Sequence, residues 1–379
     1  MSSGKNSLSL TIRGLMSVVL VWATTAFFPD DIRAQAGRDT AKKNLISLSK
    51  KEVLENAKKE GQLIVVPGFD EASFPVMKKT FEKRYPFLKV ELQVVSGAGS
   101  ERFHYDLVSG AVDVDVFSVS LERWGDYDKH GVIAKYDLPE MVKRGELKIH
   151  PDMIDTAAPT PGLFANFGSR IDVILYNTKL LRPESAPTGW ESCTDPKWKG
   201  KFSVDTRYHG FVYLNAAWSD EKLLDFARKI KDNQPIWVQG MTATITRLAA
   251  GEFQWMCSAF LHSTLRMQKK DPTLPVKVVF PNPTVVSMTE PEGIYAKAKH
   301  PHAALLWMEW MASLEAQDAL AQRDPGKVSF LVEGSVANRL LKDANVKPVL
   351  CRGKCLLKAA ELEQRIAVDA WGLPAVKRR

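Results

Sequence analysis

Short apolar runs and helical periodicity alternate along the first third of the sequence. Residues 63–66 form an apolar run typical of a buried strand, and apolar side chains recur at helical spacing over residues 74–85. Residues 89–95 alternate like a second strand, a helix is predicted to end near Ser109, and residues 113–118 predict a third strand. This βαβαβ order predicts a parallel sheet covered by helices.

A second block of strands and helices follows the first. Its predicted strands are residues 170–176, 200–204, 253–258 and 276–280, and its predicted helices are residues 211–218, 220–231 and 241–250. We interpret residues 164–170 and 281–290 as connectors between the blocks, and we predict one long apolar helix over residues 301–320. Two α/β blocks joined by more than one segment predict two lobes with a hinged cleft between them.

The N-terminus has the pattern of an export signal. Lys5 and Arg13 precede an apolar run that is shorter than the roughly 20 residues needed to cross a bilayer. Ala34 and Ala36 supply the small residues that signal peptidase requires, so we predict that residues 1–36 are a signal peptide. Cleavage would release an exported protein suited to the periplasm, whereas an uncleaved segment would act as a membrane anchor.

The composition describes a folded chain with a modest positive charge. Of its 379 residues, 45% are hydrophobic and 25% are charged, which supplies a sizeable core and excludes wholesale disorder. The formal charge is +8, but the lysines and arginines are scattered along the chain instead of clustered. We therefore expect no nucleic-acid partner.

The four cysteines form an even number, which allows disulfides in an oxidising compartment. Cys351 and Cys355 are close enough in sequence to bridge if the residues between them turn, and we predict that disulfide. The pairing of Cys193 and Cys257 is left open. Because the sequence lacks paired C-x-x-C motifs, the cysteines predict no metal site.

Short motifs stand in order along most of the chain. Tyr-Asn-Thr-Lys occupies residues 176–179, and Asp-Pro-Lys-Trp-Lys-Gly-Lys occupies residues 195–201. Further segments that contribute to the pattern are residues 81–86, 131–136, 186–190, 299–304 and 314–317. In order and spacing these segments resemble the periplasmic solute-binding proteins of ABC importers, in the branch that binds ferric iron, phosphonate, thiamine or polyamines.

The resemblance implies an α/β protein with the two-lobed type II periplasmic-binding fold, each lobe a mostly parallel sheet flanked by helices. We accordingly expect residues 37–168 and 285–379 to form lobe one and residues 169–284 to form lobe two. The family resemblance also implies a binding protein without enzymatic activity or cofactor. We expect a monomer that delivers a small-molecule solute to an ABC permease in the inner membrane.

The sequence departs from the ferric-binding members of this family. Those proteins use paired consecutive tyrosines, and hard Fe(III) prefers such anionic oxygen donors. The pair should follow the strand at residues 253–258, but Phe260, Leu261 and His262 stand there, and the first-lobe loop offers Asp70 without a histidine. We therefore assign no metal ligands, and a site built from His262 and carboxylates stays open as an alternative.

Polar residues and glycines follow the predicted strands at the ends where parallel α/β folds bind ligands. Glycine loops and helix N-termini offer backbone N–H groups, and arginine offers a bidentate guanidinium, so this pattern predicts an anion site. The predicted ligand-binding residues are Ser96, Gly97, Ser100, Ser118, Ser120, Arg207, Tyr208, His209, Gly240, Thr242 and His262.

Each of these residues also has a plainer interpretation. Ser100, Ser118 and Ser120 could cap helices, residues 207–209 could form an ordinary surface loop, and a lone His262 could be structural. The sequence alone leaves both interpretations open for every member of the set.

The sequence thus predicts a receptor that closes two lobes around a small anionic solute. One alternative is a ferric-iron receptor with a non-standard ligand set that includes His262 and Tyr208. Another alternative is a secreted enzyme on the same fold, with His209 or His262 as its base. The sequence contains no G-x-S-x-G, H-E-x-x-H or phosphate-binding loop motif that would favour the enzyme.

Overall fold

The computed structural model describes residues 45–95, 97–156, 162–206 and 209–374. The predicted signal peptide and the candidate residues Ser96, Arg207 and Tyr208 lie outside this part of the chain. Its strands are β1 (Gln62–Val66), β2 (Lys89–Leu92), β3 (Val116–Ser118), β4 (Phe164–Asn177), β5 (Phe202–Asp205), β6 (Ile236–Val238), β7 (Trp255–Phe260), β8 (Val276–Val279), β9 (Val285–Ile294) and β10 (Val349–Cys351). Its α-helices are α1 (Lys50–Glu60), α2 (Phe74–Arg84), α3 (Ala98–Ser109), α4 (Trp124–His130), α5 (Leu138–Lys143), α6 (His209–Val212), α7 (Asp220–Asp232), α8 (Met241–Ala250), α9 (Leu261–Lys270), α10 (Pro301–Met311), α11 (Leu314–Ala321), α12 (Val336–Asp343) and α13 (Lys354–Arg365).

The first third of the chain forms the predicted parallel sheet. β1 lies between β2 and β3 and pairs in parallel with both, which confirms the strand order expected from the sequence. Ser49 and Glu52 cap the start of α1 reciprocally, and Gly61 ends the helix in the left-handed conformation, with φ at 69°. The prediction that β2 runs to residue 95 is wrong, because the strand ends at Leu92 and Val94 is exposed.

Two long strands, β4 and β9, join the two halves of the molecule. They pair antiparallel from Phe164 opposite Gly293 to Ile171 opposite Val286. The predicted connector at residues 164–170 is therefore the first half of β4, so it joins the two sets as a strand that begins earlier than the strand predicted from residue 170. Nearly every side chain of β4 is buried, so the strand shows no apolar-polar alternation that would reveal it. The second predicted connector is likewise mostly strand, since β9 begins at Val285.

The second half of β4 begins another set of strands. β4 pairs antiparallel with β7 and β8, β7 pairs in parallel with β5, and β5 pairs in parallel with β6. The hydrogen-bonded order is β2-β1-β3-β9-β4-β7-β5-β6, so β4 and β9 connect the two sets. The α/β class expected from the sequence is confirmed, although β6 was not predicted and β7 lies two residues later than expected.

Buried apolar side chains form two clusters. The larger contains α10 together with side chains from α1, α2 and β1. The smaller contains Trp190 and Trp255 and, from the C-terminal segment, Leu362 and Trp371. The indole N–H of Trp371 donates to the backbone oxygen of Ala227 at 2.9 Å, which fixes this segment beside α7. The C-terminal segment thus packs against the second set of strands and α7, and the assignment of residues to lobes stays a prediction.

The apolar stretch after β9 forms two helices instead of one. α10 ends at Met311, and the hydroxyl of Ser313 accepts a hydrogen bond from the backbone N–H of Ala316 at 3.3 Å, which starts α11. The prediction of a single helix over residues 301–320 is wrong because a serine side chain at this position can cap a new helix.

Two disulfides join the described cysteines. The Cys351–Cys355 bond confirms the predicted local bridge next to the start of α13, and Cys193 is bonded to Cys257 on β7. The Cys193–Cys257 bond therefore anchors β7 one residue before Ser258. Among the residues that the structure describes, no helix combines the length and the apolar character needed to cross a membrane.

Candidate functional site

Four charged side chains lie on the two long strands, and Asp172 and Glu292 are buried while Arg170 and Glu290 are half-buried. Arg170 and Asp172 lie on β4, and Glu290 and Glu292 lie on β9, within segments that are otherwise strongly apolar. Buried charged groups require partners, since an ionised side chain away from water is costly. Their concentration at the place where the two sets of strands meet marks a candidate site.

One side of the site is formed by four residues that we call the carboxyl wall: Gly68, Ser118, Glu290 and Glu292. Gly68 follows β1, and a Cβ atom at this position would lie 3.2 Å from Ser118 Oγ and still closer to a carboxylate oxygen of Glu290. Ser118 pairs with Glu292 across the ladder between β3 and β9. The absence of a side chain at Gly68 is what lets the carboxyl group of Glu290 fit there.

Glu290 has a backbone conformation that is uncommon for a residue with a side chain. Its φ is 52°, in the left-handed region, within the middle of β9. Its carboxylate accepts a hydrogen bond from Lys327 Nζ at 3.0 Å, and Gly168 on β4 leaves room for its side chain. Burial raises the pKa of Glu290, and Lys327 opposes that rise. The strained backbone is thus maintained by a close ion pair.

Glu292 is fully buried beneath the end of β1. Its Oε2 accepts a hydrogen bond from the indole N–H of Trp307 at 2.8 Å, whereas its Oε1 has no partner among the described residues. Burial raises the pKa of Glu292 to about 8, and the neighbouring Glu290 adds to the rise. Glu292 therefore holds a proton at neutral pH.

The opposite side is formed by four residues that we call the cation wall: Arg170, Phe260, His262 and Arg266. The guanidinium of Arg170 lies over the Phe260 ring at 4.8 Å from its centroid and over the Tyr213 ring at 4.0 Å. Two aromatic faces thus fix the plane of the guanidinium, since arginine stacks favourably on π-systems.

Asp172 is the carboxyl group that accompanies the cation wall. Its Oδ1 is 3.7 Å from Arg170 Nε, and the group is buried. Burial raises the pKa of Asp172 to about 7, and Arg170 limits the rise. Asp172 thus titrates near neutral pH, so its charge changes within the physiological range.

His262 lies in the first turn of α9, directly after β7. Its ring stacks on Phe260 at 5.3 Å, and its buried Nδ1 has no hydrogen-bond partner among the described residues. Burial lowers the pKa of His262 to about 3, and the positive charges of Lys327, Arg170 and Arg266 lower it further in that order. His262 is therefore neutral at physiological pH, and it can donate or accept a hydrogen bond.

Residues 324–330 form a segment that we call the strap, which connects the two walls. The backbone oxygen of Lys327 accepts a hydrogen bond from the Ser169 N–H on β4 at 3.0 Å. Asp324 lies 3.5 Å from Arg266, and Gly326 packs against the backbone of His262 so closely that a Cβ would fall 2.6 Å from the His262 Cβ. The strap thereby brings Lys327 to the space between the walls.

A small recess opens beside the cation wall. Its lining includes Asp205 at the end of β5, Gly210 in α6, Met241 at the start of α8, and Ser258 and Phe260 on β7. The buried hydroxyl of Ser258 has no hydrogen-bond partner among the described residues. The start of α6, the start of α8 and the end of β7 therefore meet here, each of them next to residues that the sequence marked as candidate ligand-binding positions.

The predicted site residues fall into groups. His262 belongs to the cation wall and Ser118 to the carboxyl wall, while Gly240, with φ at 93°, directly precedes Met241 of the recess. His209 begins α6 beside the recess. Thr242 is exposed on α8, away from the recess lining.

The structure changes the interpretation of the predicted serine caps. α3 begins at Ala98 with Gly97 as its N-cap, so the interpretation of Ser100 as a cap is wrong, and Ser100 is an exposed residue of the first turn. Ser120 stands at the N-cap of a short 3₁₀ turn, but its side chain makes no capping hydrogen bond. Ser118 ends β3 instead of capping a helix.

Six charged residues of the site were missed from the sequence: Arg170, Asp172, Arg266, Glu290, Glu292 and Lys327. They lie inside strands, on α9 or in a connecting segment, whereas the prediction concentrated on glycine and serine loops. A charged residue inside a strongly apolar stretch is the signal that could have found Arg170 and Glu292, because such residues are seldom buried without a specific reason. In the part of the chain that the structure describes, no three His, Cys, Asp or Glu side chains are grouped as metal ligands.

Comparison with solved structures identifies the class of fold. The chain is similar to a ferric iron-binding protein A from Mannheimia haemolytica in an open conformation, with 17% identity, a TM-score of 0.64, and 82% of this chain and 98% of that chain covered. It is also similar to Trichodesmium IdiA (FutA) in complex with iron and citrate, with 21% identity, a TM-score of 0.63, and 81% and 99% coverage. The periplasmic binding protein AfuA from Actinobacillus pleuropneumoniae, with fructose-6-phosphate bound, shares 19% identity and a TM-score of 0.50 over 76% of this chain and 99% of that chain. The fold is thus that of the two-lobed periplasmic binding proteins.

The family follows from the sequence. A model of the family described as bacterial extracellular solute-binding protein matches residues 115–349, which is more than half of the chain. This protein therefore belongs to that family, and the resemblance to the solute-binding proteins of ABC importers is confirmed. The family and the fold neighbours are binding proteins instead of enzymes. A search of curated proteins finds no match.

Proposed function

We propose that this protein captures a small anionic solute in the periplasm and delivers it to the permease of an ABC import system. The observation that carries the proposal is the placement of Arg170, Arg266 and Lys327 around a neutral His262. Cations that converge on one enclosed place attract an anion, and guanidinium groups bind carboxylate or phosphate oxygens in a bidentate manner.

The buried polar atoms of the site support the same proposal. His262 Nδ1 and the Ser258 hydroxyl are buried without hydrogen-bond partners among the described residues. Leaving such groups unsatisfied costs free energy, which an oxygen-rich solute can recover by hydrogen bonding to them. These two groups come from β7 and α9, which follow each other directly, and the proposal places one bound anion against both of them and against Arg170.

The proposed mechanism is a shift between open and closed populations. The solute would first contact the cation wall, and contacts with the carboxyl wall and Lys327 would then favour the closed arrangement that a permease recognises. Since β4 and β9 are the strands that join the two sets, we propose that movement between the lobes is absorbed there. The lobe boundaries of this proposal are residues 169 and 284, with the C-terminal segment after β10 assigned to the second lobe.

A ferric-iron receptor is the alternative, because the similar structures include iron-binding proteins. The charges around His262 count against it, since Arg170, Arg266 and Lys327 repel a trivalent cation. The residues after β7 also lack the paired tyrosines of the ferric-binding members. Iron binding would therefore require a ligand set outside the cation wall.

The test is thermal unfolding of the chain from residue 37 onward against single compounds. The panel contains phosphate, propylphosphonate, butyrate, citrate, ferric citrate, spermidine and thiamine. A ligand present at 100 times its dissociation constant stabilises the folded state by about 2.7 kcal/mol, which raises the midpoint by a few degrees. Stabilisation by anions without iron is the expected result, whereas stabilisation by ferric citrate beyond that by citrate would overturn the anion proposal.

A matched pair of variants makes the result specific. Lys327→Met removes the cation between the walls, so it should abolish most of the anion-induced stabilisation. Lys342→Met removes an exposed lysine that pairs with Glu333 on the surface, so it should leave the anion effect unchanged. Equal loss in both variants would show that the anion acts through the overall charge of the protein. Conversion of any bound compound into a product would instead favour a secreted enzyme.

A further inference from the structure

The carboxyl wall contains two carboxyl groups, and only one of them has a cation as its partner. Glu290 pairs with Lys327 at 3.0 Å. Glu292, two residues along β9, is fully buried and accepts its hydrogen bond at Oε2 from the neutral indole of Trp307. Its Oε1 has no partner among the described residues. Glu290 therefore pairs with a cation, whereas the protonated Glu292 has only the indole of Trp307, the backbone of Gly68 and the Glu290 carboxyl group beside it.

The surroundings of the two carboxyl groups explain why they lack a second cation. Groups that face Glu292 are Glu290 on its own strand, Trp307 on α10, Gly68 after β1 and Ser118 on β3. Groups that face Glu290 are Lys327 and Asp324 on the strap, Gly168 on β4 and the adjacent Thr289. Asp70 adds further negative charge near Asp324. Apart from Lys327, the charged members of these sets are acidic.

The cation wall has the complementary composition. Arg170 and Arg266 stand on β4 and α9, and His262 between them is neutral. The cation wall thus offers guanidinium groups and a neutral imidazole to a solute, whereas the carboxyl wall offers the carboxylate of Glu290 and the protonated carboxyl group of Glu292, with Lys327 of the strap at the boundary. A solute with only an anionic group would pair with the cation wall, and Glu292 Oε1 would still have no hydrogen-bond partner.

We propose that the solute is zwitterionic, with its anionic group against Arg170 and His262 and an ammonium group against Glu290 and Glu292. This inference rests on the proposed function, because it adds a second group to the anionic solute. An ammonium group donates three hydrogen bonds, and it provides the cation that the carboxyl wall lacks. Glu292 acts here as the residue that selects the ammonium group.

Binding of such a solute has a proton signature. Burial keeps Glu292 protonated in the free protein, with a pKa of about 8. An arriving ammonium group favours the carboxylate form, so the proton of Glu292 is released to solvent when the solute binds. Isothermal titration calorimetry in buffers with different ionisation enthalpies measures this release directly, because the apparent enthalpy then depends on the buffer.

The test compares isosteric solutes in which a methyl group replaces the ammonium group. The pairs are 2-aminoethylphosphonate with propylphosphonate, and β-alanine with butyrate. Titration of the wild-type chain should give a dissociation constant at least about tenfold lower for the amino member of the better-bound pair. Equal or weaker binding of the amino member overturns the inference and leaves the proposed function intact. Absence of binding by all four compounds overturns both.

Two variants tie the preference to the carboxyl wall. Glu292→Gln keeps the shape and the hydrogen bond from Trp307 but removes the ionisable proton, so the tenfold preference should disappear and the number of protons released on binding should fall relative to the wild type. Glu333→Gln changes an exposed carboxyl group on the surface and should alter neither quantity. A preference that persists in Glu292→Gln contradicts the role of Glu292, and the wild-type comparison remains decisive if that variant does not fold.

Discussion

The two walls of the site bury charge in different ways. In the cation wall, Arg170 is held between two aromatic rings and accompanied by Asp172, so its position is fixed before any solute arrives. In the carboxyl wall, Glu290 pairs with Lys327, whereas Glu292 has no cation as its partner and its Oε1 has no hydrogen-bond partner among the described residues. The difference indicates that the cation wall is preorganised, whereas the carboxyl wall is completed by what binds to it.

The largest expected effect concerns the anchor of the cation wall. The Cys193–Cys257 disulfide spans 64 residues and holds β7, whereas Cys351–Cys355 spans 4. Replacing both cysteines of a pair by serine should lower the free energy of unfolding by about 4 kcal/mol for the first pair and about 2 kcal/mol for the second, because longer loops lose more chain entropy when closed. Urea unfolding of the two double variants measures the difference. The reverse order would contradict the assignment of β7 as the anchored strand.

The next effect tests the contact between the strap and the cation wall. In Gly326→Ala, the added Cβ would lie 2.6 Å from both the backbone nitrogen and the Cβ of His262, and this backbone cannot yield easily. We expect a loss of about 1–3 kcal/mol in the free energy of unfolding. Gly125→Ala in α4 is the matched control, since its Cβ would meet no described atom within 4 Å, and it should stabilise by about 0.5–1 kcal/mol. Similar stability of both variants would disprove the close contact.

A smaller effect is the pH dependence of the free energy of unfolding, to which each wall contributes one carboxyl group. Asp172 and Glu292 have pKa values near 7 and 8 in the folded protein, above the ordinary 3.8 and 4.5. The folded state therefore holds protons that the unfolded state has already lost, and the free energy of unfolding should fall as the pH rises from 6.5 to 8, by up to about 1.4 kcal/mol per pH unit for each group. Glu292→Gln should reduce this decrease of the free energy of unfolding with rising pH, whereas Glu333→Gln should leave the decrease unchanged.

His262 acts in the opposite direction at lower pH. Its folded-state pKa is about 3, below the ordinary 6.5. Between these two pH values the histidine is therefore protonated in the unfolded state and neutral in the folded state. The contribution of His262 to stability is therefore lost as the pH falls from 6.5 towards 3. A His262→Gln variant that keeps the wild-type slope between pH 6 and 4.5 in urea unfolding would contradict this assignment.

The sequence predicts the first sheet better than the site. The apolar run at residues 63–66 is visible because it is short and bounded by turn residues, and the helical pattern at residues 74–85 is visible because one face of the helix is exposed. β4 is covered on both faces, so its apolar run carries no alternation, and β9 is interrupted by Glu290 and the following proline. Hydrophobic periodicity therefore does not reveal β4 and β9, which are the strands that carry several of the charged residues of the site.

The site itself depends on contacts between distant segments. Lys327 and Glu290 are 37 residues apart in sequence, and Arg170 reaches Tyr213 and Phe260 through the pairing of β4 with its neighbours. His262 could be predicted because it follows a strand at the ligand-binding end. Nothing in the sequence around Lys327 marks it as a site residue, since a lysine in a polar connecting segment is ordinarily a surface residue.

The most direct test of the account is the affinity of Arg170→Lys for the anion that stabilises the wild-type chain most. Lysine keeps the charge but loses the planar group that stacks on Tyr213 and Phe260, and Arg339→Lys on the surface is the matched control. By isothermal titration calorimetry, we expect Arg170→Lys to raise the dissociation constant by about tenfold or more, and Arg339→Lys to leave it unchanged. Wild-type affinity in a correctly folded Arg170→Lys variant would contradict the claim that the anion lies against the cation wall.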